Sequence, residues 1–183
     1  MKQLIIIPFI LFAMNLFAQS VETPNVPQKA IVRSIHDGDS YGVRFFSRPD
    51  TTIMVRLHNV DAPEVIFYVT KDQPYARKSA ENMRKFLLRD TVEITVVYKD
   101  AFKRLVCDIV KDSTDLSSYV ISHGYGWFSN DDATTLDRAA ELKELQNTAD
   151  KANLGLWGEP GRKLRPETWR KRYSRLKDGQ SSL

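Results

Sequence analysis

The strongest constraint on this chain is a change of residue pattern between Ile53 and Glu64. Ile53, Val55 and Leu57 alternate with Met54, Arg56 and His58, the period of a strand with one buried face. The alternation then stops, and Val60-Asp61-Ala62-Pro63-Glu64 follows. Arg56 therefore stands on the polar face of a strand, with Asp61 and Glu64 where the strand runs out. Ala62 precedes a proline, which biases its backbone to an extended conformation and fixes the direction of its carbonyl. A cation on a rigid strand beside acids on its exit loop suits phosphate chemistry. The competing reading of the same residues is a charged turn.

The surrounding pattern supplies a fold. Residues 29–36 and 40–46 read as strands joined by a turn at Asp37-Gly38-Asp39, and residues 51–60 as a third strand. A helix is expected from about Pro74 to Leu88, with Ala76, Ala80, Met83, Phe86 and Leu87 near helical spacing and Pro74 suited to the first turn. Val92, Ile94, Val96 and Tyr98 mark a fourth strand, and Leu105, Cys107 and Ile109 a fifth. Leu116 to His123 reads as a short helix stopped by Gly124. A longer one, capped by Thr134 or Thr135, runs through Leu136, Ala139, Ala140, Leu145 and Ala149 and ends before Gly155. Three strands, a helix, two strands and further helices predict an α+β fold, mainly β. It is a five-stranded oligonucleotide/oligosaccharide-binding (OB) barrel with about three packed helices.

At 183 residues the chain suits one compact, monomeric domain. Residues 1–18 read as a signal peptide: Lys2, an apolar run from Leu4 to Met14, and a small residue, Ala18, at the cut. A membrane span needs roughly 20 apolar residues, so no stable membrane anchor is expected and the protein is read as exported, secreted or periplasmic. Residues 19–28 form a flexible lead-in, 29–160 the barrel domain, and 161–183 a basic tail with eight lysines and arginines against two acids. Such a tail adds attraction to a polyanion or is a solvated end. Cys107 is the only cysteine, which excludes an internal disulfide and a cysteine-based zinc site. His36, His58 and His123 lack metal-ligand spacing and read as structural or solvent-facing.

Asp39 and Asp61 fall on separate loops of the expected barrel, and oxygen ligands from different loops suit a hard cation such as calcium or magnesium. Asp-Gly is also the commonest hairpin signal, so Asp37-Gly38-Asp39 alone carries little. Hydrolysis of a phosphodiester needs a base near the attacking water and positive charge on the phosphoryl oxygens. Glu64, Arg56 and Arg104 are the residues of that chemical type, because an arginine fork matches phosphate and stays charged.

The set Asp37-Gly38-Asp39-Ser40, Arg56 through Glu64, Gln73-Pro74-Tyr75 and Arg104 resembles the staphylococcal nuclease-like (thermonuclease) family. Asn153-Leu154-Gly155-Leu156-Trp157 and Pro166-Glu167-Thr168-Trp169-Arg170 are similar to bacterial members, and the likeness spans roughly residues 29–172. The resemblance implies a calcium-dependent endonuclease acting on DNA and RNA and leaving 3′-phosphate ends. It also implies roles. Asp39, Asp61 and the Ala62 carbonyl would hold calcium, with Asp37 supporting them from behind. Glu64 would activate water, while Arg56 and Arg104 would stabilise the phosphate.

Departures from the family pattern are local. Ala62 stands where some members have threonine, Phe102 where tyrosine is common, Lys103 where glycine is common, and Ala76 where glycine is frequent. Phe102 and Trp127 are read as substrate-binding, and Trp127, Phe128, Tyr125 and Tyr68 as base-stacking groups or plain packing. The expected substrate is single-stranded or locally opened nucleic acid, because an open barrel groove tracks one strand. The alternatives are a non-catalytic OB-fold module that binds nucleic acid or protein, and an oligosaccharide-binding module. Neither needs two arginines beside an acidic cluster.

Overall fold

Antiparallel pairing of β1 (Pro27–Ile35) with β2 (Ser40–Phe45), and of β2 with β3 (Ile53–Leu57), starts the architecture. The computed structural model describes residues 25–65, 72–160 and 163–179, with side chains in the last stretch as far as Arg172. After β3 the chain turns through Asn59, whose φ of 61° suits asparagine better than most side chains. It then forms the short β4 (Val60–Asp61). The third strand thus ends earlier than residue 60, and the segment beyond it belongs to a separate two-stranded pairing.

Helix α1 (Ala76–Leu87) follows and buries Ala76, Ser79, Ala80, Met83 and Leu87, one face at three- and four-residue spacing. β5 (Thr91–Lys99) returns beside β1, and β6 (Leu105–Lys111) pairs with β5. β6 also pairs parallel with β3, Val55 opposite Leu105 and Leu57 opposite Cys107, which closes five strands into a barrel. Register shifts at Val32/Ser34 and Val96/Tyr98 supply the local bends that closure needs. Closure has a chemical consequence. Arg104 immediately precedes β6 and is therefore carried beside the strand that bears Arg56.

The remaining elements are β7 (Thr114–Asp115), α2 (Leu116–Ser122), β8 (Trp127–Phe128), α3 (Leu136–Lys151), a 3₁₀ turn (Gly155–Gly158) and α4 (Pro166–Gly179). Asp115 caps α2 by accepting from the Ser118 N–H at 2.8 Å, and Thr135 caps α3. β8 pairs with β4 so that Trp127 lies opposite Asp61. Leu142, Gln146 and Ala149 are the buried face of α3, whereas Leu136 is exposed, against its expected place in the apolar stripe.

Tyr41, Val43, Phe45, Leu57, Ile94, Cys107 and Ile109 fill the barrel, and Met83 and Leu87 of α1 pack on it. Each fully buried large aliphatic side chain contributes roughly 1.5–3 kcal/mol of transfer free energy. The thiol of Cys107 is wholly buried and its pKa is pushed up to about 12 by burial and Asp108, which fits an inert core residue. Beyond the barrel, Trp127, Ala149, Leu156 and Trp157 form a second cluster.

Two readings of the C-terminal and N-terminal boundaries need correction. Residues 166–179 form a helix rather than a tail departing from the folded body, and Trp169 on it is buried. The lead-in ends earlier than residue 28, since β1 begins at Pro27. Residues 1–18, read as a signal peptide, and Tyr68 lie outside the described residues. Among the described residues no helix is long and apolar enough to cross a membrane.

Candidate active site

The barrel register brings Ser40 opposite Arg56, and the Leu57 N–H donates to the Asp39 carbonyl at 2.8 Å. Asp39, immediately before β2, is therefore held against the strand that carries Arg56. Gly38 sits where a Cβ would meet the Ser79 hydroxyl of α1 at 2.2 Å and the Ala62 side chain at 2.7 Å. Only glycine lets that loop seat between α1 and the exit of β3. The Asp37-Gly38-Asp39 turn is thus built for close approach as well as for reversing the chain.

Arg56 is the hub. Its Nη2 lies 2.9 Å from Asp61 Oδ1 and 3.1 Å from Asp39 Oδ2, and donates to the Val60 carbonyl at 3.3 Å. Asp39 also accepts from the Ala62 N–H at 2.9 Å and from the Ser40 hydroxyl at 2.8 Å. Burial alone would lower the Arg56 pKa, but Asp39 and Asp61 outweigh it and raise it. Asp37 accepts from the Asp39 N–H at 3.0 Å, and its carboxyl is raised well above its ordinary value by burial and by the charge of Asp39.

Glu64 occupies the rim. Its backbone exchanges two hydrogen bonds with Gln73: the Glu64 N–H donates to Gln73 Oε1 at 3.1 Å, and the Gln73 N–H donates to the Glu64 carbonyl at 3.0 Å. Gln73 is itself buried, and its Nε2 donates to the Leu164 carbonyl at 2.7 Å, tying the loop to the C-terminal segment. Burial raises the Glu64 pKa and so do Asp39 and Asp61, while Arg170 opposes them. A carboxylate raised in this way is a better proton acceptor near neutral pH than an ordinary glutamate.

Arg104 approaches from the far side. Its Nε and Nη2 each lie 2.7 Å from Asp100 Oδ2, and its guanidinium sits 5.5 Å from the centre of the Phe102 ring. Asp37, Arg56, Glu64, Phe102, Arg104 and Arg170 line one open cleft of about 480 Å³. Of the expected site residues, Asp39, Asp61, Ala62, Asp37, Arg56 and Glu64 share one contact network, and Arg104 and Phe102 face the same cleft. Phe102 is 80% exposed, free to meet a ligand. Trp127 does not belong to the site. It is 5% exposed and packs edge-on against Trp157, so the reading of its ring as a substrate contact is corrected to packing.

Two side chains have partners that the sequence does not show. Arg170 of α4 contacts Glu64 Oε1 closely and Asp61 Oδ1 at 3.4 Å. The second is His58, buried between Asp108 (2.9 Å from Nδ1) and Asp131 (3.1 Å from Nε2), with the Tyr98 hydroxyl donating to Asp131 at 2.7 Å. The sequence shows a lone histidine whose partners lie 50 and 73 residues away.

The donor chemistry of the acidic cluster suits a hard dication. Asp37, Asp39, Asp61 and Glu64 present only oxygen donors, and the carboxyls of Asp37 and Glu64 are raised by burial first and by neighbouring carboxylates second. That composition fits such an ion. Among the described residues, however, no three acids or histidines already converge as a ready-made ligand set. The guanidinium of Arg56 bridges Asp39 and Asp61 instead.

A closed β-barrel of five strands, with arginines and carboxylates gathered in a cleft at one end, defines an OB-type α+β protein with a phosphate-suited site. Comparison with known proteins narrows the class. The sequence model of the staphylococcal nuclease homologue family matches residues 54–159, and the chain belongs to that family. It is 29% identical over 118 residues to "Probable staphylococcal-like nuclease CAN4" of Oryza sativa subsp. japonica, covering 64% of this chain but 21% of the rice protein. It is 26% identical over 167 residues to "Uncharacterized endonuclease" of Escherichia coli O157:H7, covering 91% of this chain and 97% of that one. A Komagataella phaffii protein, "Probable endonuclease LCL3", is 28% identical over 136 residues, 71% of this chain and 59% of its own length.

Proposed function

We propose that this protein is an exported, calcium-dependent endonuclease that hydrolyses phosphodiester bonds of DNA and RNA, acting on single-stranded or locally opened strands. The observation that carries the reading is the gathering of Glu64, Arg56 and Arg104 around one open cleft beside the Asp39–Asp61 pair. Family membership and the printed names of the relatives support nuclease chemistry. Export rests on the apolar run from Leu4 to Met14 after Lys2.

In this mechanism Glu64 takes a proton from the attacking water, whose oxygen bonds to phosphorus as the bond from phosphorus to the 5′-oxygen breaks. The 5′-oxygen leaves and takes a proton from water in the open cleft, and the strand upstream keeps the phosphate at its 3′ end. Arg56 and Arg104 donate to the non-bridging oxygens, where negative charge grows in the transition state. Asp39, Asp61 and the Ala62 carbonyl would hold calcium, which supplies positive charge beside the phosphate when bound. Pro63 keeps the Ala62 backbone extended, so that carbonyl and carboxylate hold a constant relation. Phe102, on the rim beside Arg104, offers a ring face to a base.

The test is cleavage of a circular single-stranded DNA, which has no ends, in calcium. Linear fragments from the wild type and none from Glu64→Gln fit the proposal. Intact circles with the wild type, or cutting that survives Glu64→Gln undiminished, would remove it.

A further inference from the structure

We propose that α4 forms one wall of the nucleic-acid groove and that Arg170 contacts a backbone phosphate there, a reading that rests on the nuclease assignment above. The cleft has arginines on three sides. Arg56, Arg104 and Arg170 all line it, Arg104 beside Phe102 and Arg170, from α4, against Glu64.

The helix is fixed in place from several directions. Trp169, the residue before Arg170, is buried. The Gln73 side chain donates to the Leu164 carbonyl at 2.7 Å, and Arg165 Nη1 donates to the Phe128 carbonyl at 3.1 Å. Gln73 is the same residue that holds the Glu64 backbone. The wall and the expected base are thus braced by one side chain, which gives Arg170 a reproducible position relative to the reacting phosphate.

The guanidinium is also suited to serve two anions. Both carboxylate contacts, to Asp61 and Glu64, use Nη1. A guanidinium carries five N–H donors in a planar fork, so Nη1 does not exhaust it. The carboxylates orient the fork, and among the described residues its other edge is left for a phosphate oxygen. The Arg170 side chain is 44% exposed, against 17% for Arg56, as a group meeting incoming substrate requires.

The experiment measures binding of a fluorescein-labelled thymidine oligonucleotide of about 12 residues, within the usual length for one such barrel. It is done by anisotropy with the full chain, in chelator so that the strand stays whole, over a series of salt concentrations. Removing one cation that pairs with a phosphate of a single strand reduces the slope of log K against log salt by about 0.7. Arg170→Gln is expected to lower the slope by about that amount, and Arg170→Lys to keep it. Circular dichroism confirms that both variants are folded. An unchanged slope in Arg170→Gln, or an equal reduction in Arg170→Lys, overturns the assignment alone. Absence of binding by the wild type in chelator and also by the cleavage-deficient Glu64→Gln chain in calcium overturns the nuclease reading, and this assignment with it.

Discussion

Arg56 holds the site together, and removing it makes a quantitative prediction. Arg56→Gln deletes the one cation that touches both Asp39 and Asp61 among the described residues, at 3.1 and 2.9 Å. The carboxylates are 2% and 11% exposed, so water cannot replace it cheaply. Breaking a buried pair by removing one partner costs about 3–5 kcal/mol. Two compensations survive: Asp39 keeps the Ala62 N–H and the Ser40 hydroxyl, and Asp61 keeps Arg170. The expected loss is therefore at the low end, about 3 kcal/mol, a large share of the roughly 5–15 kcal/mol of a typical domain. For a chain of this size that lowers Tm by roughly 6–12 °C. Urea unfolding at neutral pH gives the free energy directly, and adding Asp39→Asn should recover part of it by removing the stranded charge. A loss below about 1 kcal/mol, or no recovery in the double variant, would refute the view that the arginine is a structural hub.

Other expectations follow from the same geometry. His58 is opposed by its burial but raised by hydrogen bonds to Asp108 and Asp131, so its folded pKa lies above the unfolded one. Its stabilisation is complete below the unfolded value and is lost as pH rises through the raised one. The gap in urea midpoint between wild type and His58→Gln should be widest below the ordinary histidine pKa of about 6.5 and narrow as pH rises above it, and a constant gap would contradict the clamp. Glu64→Gln is expected to lower kcat by about 10²–10⁴-fold with little loss of stability, and a loss under about tenfold would remove it as the base. Trp127→Ala should cost about 3–5 kcal/mol in unfolding. Phe102→Ala should cost less than about 0.5 kcal/mol while raising KM for a single strand. The reverse pattern would return Trp127 to the substrate.

Local pattern made much of this readable. The alternation through Ile53, Val55 and Leu57 fixed which way Arg56 points, and the turn around Gly38 marked the second acidic loop. The helix between the third and fourth long strands identified the barrel order. What stayed hidden depends on distant partners. The β4–β8 pair is only two residues long on each side, too short for any periodicity to register. Asn59 breaks the third strand by a left-handed turn that asparagine only weakly signals. Arg170 lay in a stretch whose basic composition reads as solvated, and its target acids are 109 and 106 residues away. The signal was present in Pro166 at a helix start and in Trp169, an aromatic with no reason to sit in a free tail.

The central claim is that the cleft is a metal-assisted phosphodiesterase site. The most direct measurement is digestion of end-labelled single-stranded DNA and RNA by the purified chain in calcium or in excess chelator, with the new termini mapped. Internal cuts that appear only with calcium and carry 3′-phosphate and 5′-hydroxyl ends are the predicted result. Full activity in chelator, ends without a 3′-phosphate, or no cutting of either nucleic acid would contradict it.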